Sequence, residues 1–302
     1  MISLLIKVRN IFYFEKFPAD LLDIPTLTLR GCANIPLDVG NTEFDPKLVQ
    51  LIKTAIEKGW YHLDCAEMYG TEEEVGIAIK ESGIPREKLF ITNKVAQGID
   101  DIPAALDQSL KKLQTSYFDL YLIHVPFFAK SEEDFQRAWK SMEEIKKAGK
   151  VKSIGVSNFQ RPDLEATLEG ASDPPVINQI EYHPYLQRSN DYIPWMRENG
   201  IQVGSFKGLT PAFRAPEGPL KEHLARIAKS HDVTEGAVLI AWLIQSNVVA
   251  VTTTTKPERL DEYAQALTIK LTQEELKEIT EVGLTYHFRT SWGERFADDN
   301  RS

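Results

Sequence analysis

From Asp45 onward the chain alternates short β-rich runs with helix-sized segments, and this alternation limits the fold more than any other feature of the sequence. Seven runs read as strands: "YHLDCA", "KLFITNKV", "YFDLYLIHV", "VKSIGVSN", "VINQIEYH", "QVGSFK" and "VVAVTTTT". Strands joined through helices run parallel, and a parallel sheet needs helices over it to cover its apolar face. The first helix shows its rules openly. Asp45 caps it, Pro46 suits its first turn, Leu48, Leu51, Ile52, Ala55 and Ile56 repeat at helical spacing, and Gly59 ends it. Thr71 and Glu74 carry the spacing of a capping box for the next helix.

An eighth strand would close the sheet into a barrel. It must lie in "IPTLTLRGCANIPLDVG", where residues 27–29 are strand-like before Arg30, Gly31 and Pro36 interrupt them. The fold class is therefore α/β, a (β/α)8 TIM barrel, and 302 residues suit one such domain over 1–302 with 1–44 as a divergent start.

Charge and cysteine content exclude several classes of function. With 35 basic and 44 acidic residues, net charge −9, the chain has no diffuse basic field to attract nucleic acid or anionic lipid. Cys32 and Cys65 are too few for a disulfide framework and lack metal-ligand spacing. No apolar run approaches the roughly 18 residues of a membrane span. Lys7 and Arg9 interrupt the apolar start "MISLLIKVRNIFYFEKF", so a cytoplasmic location is expected.

In a parallel barrel the C-terminal strand ends form the active site. The residues found there are Asp64, Lys94, His124, Ser157 with Asn158, Gln179 with Glu181 and His183, Phe206 with Lys207, and the threonine run 252–255. Taken singly, each has an ordinary explanation: a solvated strand-end lysine, a packed tyrosine, a satisfied core histidine, turn amides. Taken together they form a ring of polar groups. In that ring Lys94 can pair with Asp64 and lower the pKa of a neighbouring phenol, and Tyr69 follows Asp64 in "HLDCAEMYGTEEEVG". His124 is placed to donate to a carbonyl oxygen. Glu181 and His183 have no third ligand at recognisable spacing, so no metal is expected. No GxGxxG follows a strand, and a dinucleotide would need another seat. "VTTTTKPERLDEY" offers one: hydroxyls, a Pro-initiated helix start and Arg259 in its first turn.

As a set, these motifs resemble the aldo-keto reductase family. "HLDCAEMYG" is similar to its Asp-to-Tyr signature, "NKV" to its lysine, "LIHVP" to its histidine, "GVSN" and "NQIEYHP" to its nicotinamide-holding strands, and "KPERL" to its adenosine-phosphate clamp. Among its members, the chain looks most like fungal reductases of conjugated polyketones and ketolactones, which share a threonine- or serine-rich last strand and "HSPFF"-like text in place of "HVPFF". The resemblance implies catalytic roles for Asp64, Tyr69, Lys94 and His124. It also implies NADPH, favoured over NADH, held by Ser157, Asn158, Gln179, Phe206, Lys207, Leu209, Thr253, Thr254 and Arg259. Tyr69 would protonate the carbonyl oxygen that hydride transfer reduces. The sequence departs from the family pattern at three places. "TLTLRGCANIPLDVG" stands for a Gly-Thr-rich first strand, Lys207-Gly208-Leu209 for Ser-Pro-Leu, and Thr253-Thr254 for a Lys-Ser pair.

The partner implied is a small carbonyl substrate. The loop with Phe127 and Phe128, the segment 207–219 and the tail "YHFRTSWGERF" with Trp292 are aromatic, which suits an apolar compound better than a sugar phosphate. The resemblance leans to a monomer or weak homodimer. Two other readings stay open: a silent barrel that binds a nucleotide or a protein, and a biosynthetic reductase of an imine or a C=C bond.

Overall fold

The computed structural model describes residues 26–28 (as backbone), 44–189, 191–296, 300 and 301. Eight parallel strands close a barrel in sequential order. They are β1 (Thr26–Thr28), β2 (His62–Asp64), β3 (Phe90–Val95), β4 (Phe118–Ile123), β5 (Val151–Ser157), β6 (Ile177–Glu181), β7 (Gln202–Phe206) and β8 (Val249–Thr252). Each of the seven strand-like runs contains one strand. The eighth starts one residue before the expected segment, pairing with β2 on one side and β8 on the other. Leu29, Arg30, Gly31, Cys32 and Pro36 lie outside the described residues.

Helices α1 (Pro46–Glu57), α2 (Glu72–Ser82), α3 (Ile102–Lys112), α4 (Glu132–Lys147), α5 (Arg161–Leu168) and α6 (Tyr192–Glu198) fill the crossovers up to β7. The last crossover holds α7 (Thr210–Phe213), α8 (Lys221–His231) and α9 (Glu235–Gln245), and α10 (Glu258–Ala264) and α11 (Gln273–Leu284) follow β8. In α1 the Asp45 carboxylate accepts the Lys47 N–H at 2.9 Å, satisfying a donor that the first turn leaves open. The buried stripe of α1 is Leu48, Val49, Ile52, Ala55 and Ile56, so Val49 takes the place expected for Leu51. The Thr71–Glu74 capping box does not form. Glu74 instead accepts the Asp45 N–H at 3.0 Å, and the start of α1 is thereby tied to α2.

Strand alternation sorts the side chains into two cores. The larger lies between helices and sheet and contains Trp60, Leu63, Ile91, Tyr121, Ile154, Ile180, Val203 and Trp242. The smaller fills the barrel with Leu120, Leu122, Val176, Ile177, Val249 and Val251, with Phe90 packed against it. A β-carbon on Gly155 would stand 2.8 Å from Ile177 and Leu122 atoms, so only glycine leaves these two side chains room to fill the centre. With the lower barrel occupied in this way, polar side chains of the same parity emerge at its C-terminal end.

Candidate active site

Asp64 ends β2 and Lys94 lies one residue before the end of β3. Both point into the barrel and are 1% and 0% exposed. The Lys94 ammonium donates to Asp64 Oδ2 at 2.7 Å and to the Cys65 carbonyl at 2.7 Å, and lies 3.4 Å from the Tyr69 hydroxyl. Burial opposes its charge, but Asp64 and Tyr69 outweigh burial and raise the Lys94 pKa above the ordinary lysine value. The lysine is therefore a permanent cation at neutral pH. It joins the acid and the phenol that the loop after β2 sets five residues apart.

Tyr69 is brought there by a 3-10 turn, Glu67–Tyr69, closed by the Tyr69 N–H to the Ala66 carbonyl at 3.0 Å. Glu67 Oε2 accepts the N–H groups of Ala96 and Gln97, each at 2.9 Å, and Glu67 Oε1 accepts that of Gly98 at 3.1 Å. The turn bearing Tyr69 is thus pinned to the loop that follows Lys94. Beyond Tyr69, the ring of His124 meets the tyrosine ring edge-on, with centroids 5.7 Å apart. Asp64, Lys94, Tyr69 and His124 therefore converge.

Ser157, Asn158 and Gln179 form the next sector. Asn158 adopts left-handed backbone, φ 62°, and its Nδ2 donates to the His124 carbonyl at 3.0 Å and to Ser157 Oγ at 3.1 Å. Ser157 Oγ donates to the Gln179 carbonyl at 2.7 Å. Gln179 Nε2 donates to Asp64 Oδ1 at 2.8 Å, which ties its amide to the ion pair. Phe206 ends β7, half-buried, in register with Glu181. Leu209 packs on the outer core.

The remaining expected cofactor residues form a separate sector. Thr253 is exposed, whereas Thr254 is buried and its Oγ1 accepts the Lys256 N–H at 3.0 Å. Arg259 lies 4.8 Å over the Phe213 ring, beside the start of α10. Lys207, with φ 57°, turns away from this sector, and its ammonium donates to Ser291 Oγ at 2.8 Å.

That bond belongs to a docking of the chain's tail that the sequence did not announce. Glu181 accepts from Thr290 N–H at 2.8 Å, Thr290 Oγ1 at 2.6 Å and Ser291 N–H at 2.8 Å, and the His183 ring lies 3.2 Å away. Burial pushes the Glu181 pKa up, but His183 and the tail donors outweigh burial and hold it at about 2. Glu181 and His183 thus serve each other and the tail; among the described residues no metal-ligating cluster occurs. The docked Trp292 donates its indole N–H to Asn158 Oδ1 at 3.1 Å and meets the Phe127 ring at 5.0 Å. The Arg295 guanidinium lies over the same Phe127 ring, 4.0 Å from its centroid.

Comparison with known proteins gives the family of the chain. The model of the Aldo/keto reductase family matches residues 38–283. A NAD/NADP-dependent indole-3-acetaldehyde reductase of Schizosaccharomyces pombe is 39% identical over 251 residues, spanning 82% of this chain and 88% of that protein. An NADPH-dependent alpha-keto amide reductase of Saccharomyces cerevisiae is 36% identical, over 85% of this chain and 86% of its own. Among solved structures, an aldo-keto reductase enzyme from a Medee basin deep-sea metagenome library superposes with TM-score 0.76 at 32% identity, covering 89% of this chain and 93% of its own. A Bombyx mori aldo-keto reductase in complex with NADP gives 0.73 at 28% identity, covering 86% and 88%. No described helix is long and apolar enough to cross a membrane. The chain belongs to the aldo/keto reductase family and is an oxidoreductase by that membership.

Proposed function

We propose that the protein reduces the carbonyl group of an apolar aldehyde or ketone to an alcohol with NADPH, and that Tyr69 is the proton donor. The observation that supports this reading is the convergence of a hydroxyl, a buried ammonium and an imidazole at one barrel rim, with Lys94 Nζ 3.4 Å from Tyr69 and His124 edge-on to it. The fit to a dinucleotide rests on the neighbouring sector. Ser157 and Asn158 at the end of β5 and Gln179 on β6 neighbour β7, which ends in the half-buried Phe206, a set of residue types suited to a carboxamide on a flat aromatic ring. Thr253, Thr254 and Arg259, at the end of β8 and the start of α10, would take the phosphate end.

NADPH would supply the hydride. The chain's own residues do the rest. Tyr69 gives its proton to the carbonyl oxygen, and the Lys94 ammonium stabilises the phenolate left behind. Asp64 holds Lys94 in place and keeps it charged, while Gln179 fixes the second oxygen of Asp64. His124 orients the carbonyl from the far side of Tyr69. Phe127 and Trp292, in contact at the rim, give the substrate an aromatic wall and shield the proton transfer from water.

The test is oxidation of NADPH, compared with NADH, in the presence of aldehydes, vicinal diketones and ketolactones, with Tyr69→Phe in parallel. Turnover should require Tyr69, while dinucleotide binding should survive its loss. Activity that persists in Tyr69→Phe would refute the assignment. Reaction with phosphorylated sugars but not apolar diketones would refute the substrate class.

A further inference from the structure

We propose that Glu67 is a positioning residue for proton transfer, one that sets the Tyr69 hydroxyl against Lys94 by anchoring the loop after β2 in a nest of three consecutive backbone N–H groups on the loop after β3. This inference rests on the reading of Tyr69 as the proton donor.

Several observations point the same way. The two groups that must stay together, Tyr69 and Lys94, sit on different loops and strands, and their separation, 3.4 Å, is long for a hydrogen bond. Such a contact is not held by its own strength. Nearer the β2 end, Lys94 donates to the Cys65 carbonyl; farther along, the Glu67 carboxylate joins the two loops: Oε2 takes Ala96 and Gln97, and both oxygens reach Gly98, at 3.1 and 3.2 Å. Ala96 is two residues beyond Lys94, and Glu67 is two residues before Tyr69 within a single 3-10 turn. The linkage therefore lies within two residues of both the ammonium and the hydroxyl along the chain.

The nest itself is specific for an anion of this reach. Three successive N–H groups converging on one carboxylate form a concave site with a favourable field for negative charge. Gly98 keeps it open: a β-carbon there would come 3.2 Å from Glu67 Oε1 and 2.3 Å from the Ala105 β-carbon. A neutral amide in place of the carboxylate would turn an N–H₂ group toward backbone N–H donors, and the nest would reject it. The turn would then drift and carry Tyr69 away from Lys94. An ångström of drift is enough to lower a proton-transfer rate by about a hundredfold.

The experiment compares wild type, Glu67→Gln, Glu67→Asp and Tyr69→Phe, and adds Glu67→Gln in the Tyr69→Phe background. It measures kcat and KM across pH, the Kd for NADP+ by fluorescence and the thermal melt. Glu67→Gln is expected to lower kcat about tenfold to a hundredfold, with the Kd for NADP+ unchanged within about twofold, and to move the pH limb of kcat that depends on Tyr69. Glu67→Asp, which keeps the charge but loses reach, should resemble Glu67→Gln. In the Tyr69→Phe background the substitution should change nothing more, as required of a group that acts through Tyr69. A fold-only role would lower the melt and leave the pH profile in place. The proposal is overturned if Glu67→Gln keeps the wild-type kcat and profile, if Glu67→Asp keeps the wild-type kcat, or if the effect of Glu67→Gln survives undiminished without Tyr69. Turnover persisting in Tyr69→Phe overturns the reading beneath the proposal and the proposal with it; a dead Tyr69→Phe beside an unaffected Glu67→Gln overturns the positioning role alone.

Discussion

Lys94→Met separates the two tasks of the buried ammonium, structural and chemical. Lys94 and Asp64 are 0% and 1% exposed and 2.7 Å apart, so removing the cation leaves the Asp64 carboxylate buried in the barrel without its counter-ion, while Gln179 Nε2 still donates to Oδ1. The Cys65 carbonyl loses its partner as well. Breaking one side of a buried pair costs about 3–5 kcal/mol. For a chain of this size that lowers the melting temperature on the order of 10 °C. Asp64→Asn made together with Lys94→Met removes both charges, and stability should return to within about 2 kcal/mol of wild type. Activity should not return, because the phenolate of Tyr69 would still lack its cation, and turnover should stay down by about a hundredfold or more. The pH dependence follows with a definite sign. The folded pKa of Lys94 is raised, so its contribution is complete below the unfolded value of about 10.4 and is lost only as pH rises through the folded one. The stability advantage of wild type over Lys94→Met should therefore be flat from neutrality to about pH 10 and decay only beyond it. Thermal melts across pH, paired with turnover, check all three parts. A double variant that recovers turnover, or a single variant that melts with wild type, would refute the reasoning.

Two further outcomes are expected. His62 is buried beneath the ion pair, 2.9 Å from Thr92 Oγ1, and burial, reinforced by Lys94, lowers its pKa to about 3. The unfolded chain protonates it near 6.5, so its neutral form stabilises the fold fully above that pH, and the contribution is lost as pH falls toward 3. About 2 kcal/mol should go between pH 7 and pH 5, measured by denaturant titration, and His62→Gln should abolish that part of the slope; an unchanged slope would count against it. Trp292→Ala removes both the indole bond to Asn158 and the contact with Phe127, and should raise KM for aromatic ketones about tenfold, more than for short aliphatic aldehydes. Equal rises for both classes would remove Trp292 from the substrate wall.

Much of the barrel was legible because its rule is local. Strand period, helix caps and the position of strand ends are read within a dozen residues, and they place Asp64, Lys94, His124 and Gln179 on one rim before any contact is known. Contacts between distant parts of the chain carry no such signal. Gln179 reaches Asp64 across 115 residues and Trp292 reaches Asn158 across 134, so the use of Gln179 in the ion pair and the docking of the tail on Glu181 were invisible to periodicity. Glu67 was hidden for a different reason. One acid in a short loop looks like solvated surface, and only the three N–H groups 29 to 31 residues away give it a task. The capping box expected from Thr71 and Glu74 failed on the same ground: the spacing was right, but a tertiary donor on Asp45 competed for the carboxylate. Local rules rank the partners a side chain can have nearby, and tertiary structure supplies better ones.

The charge balance of the interior follows from the same layering. Below the rim, the barrel is filled by leucine, isoleucine and valine, which provide no solvation for a second ion. One ion pair is tolerated there because Lys94 and Asp64 neutralise each other and the Cys65 carbonyl and Gln179 amide complete their hydrogen bonds. A proton on His62 would be a buried charge with Lys94 as a second cation nearby, and burial first, Lys94 second, hold its pKa down at about 3. His62 therefore stays neutral above about pH 3, and Lys94 stays charged at any pH below its raised pKa. Between those limits His62 and Lys94 each keep a single charge state. A change in turnover with pH over that range then comes from groups other than these two.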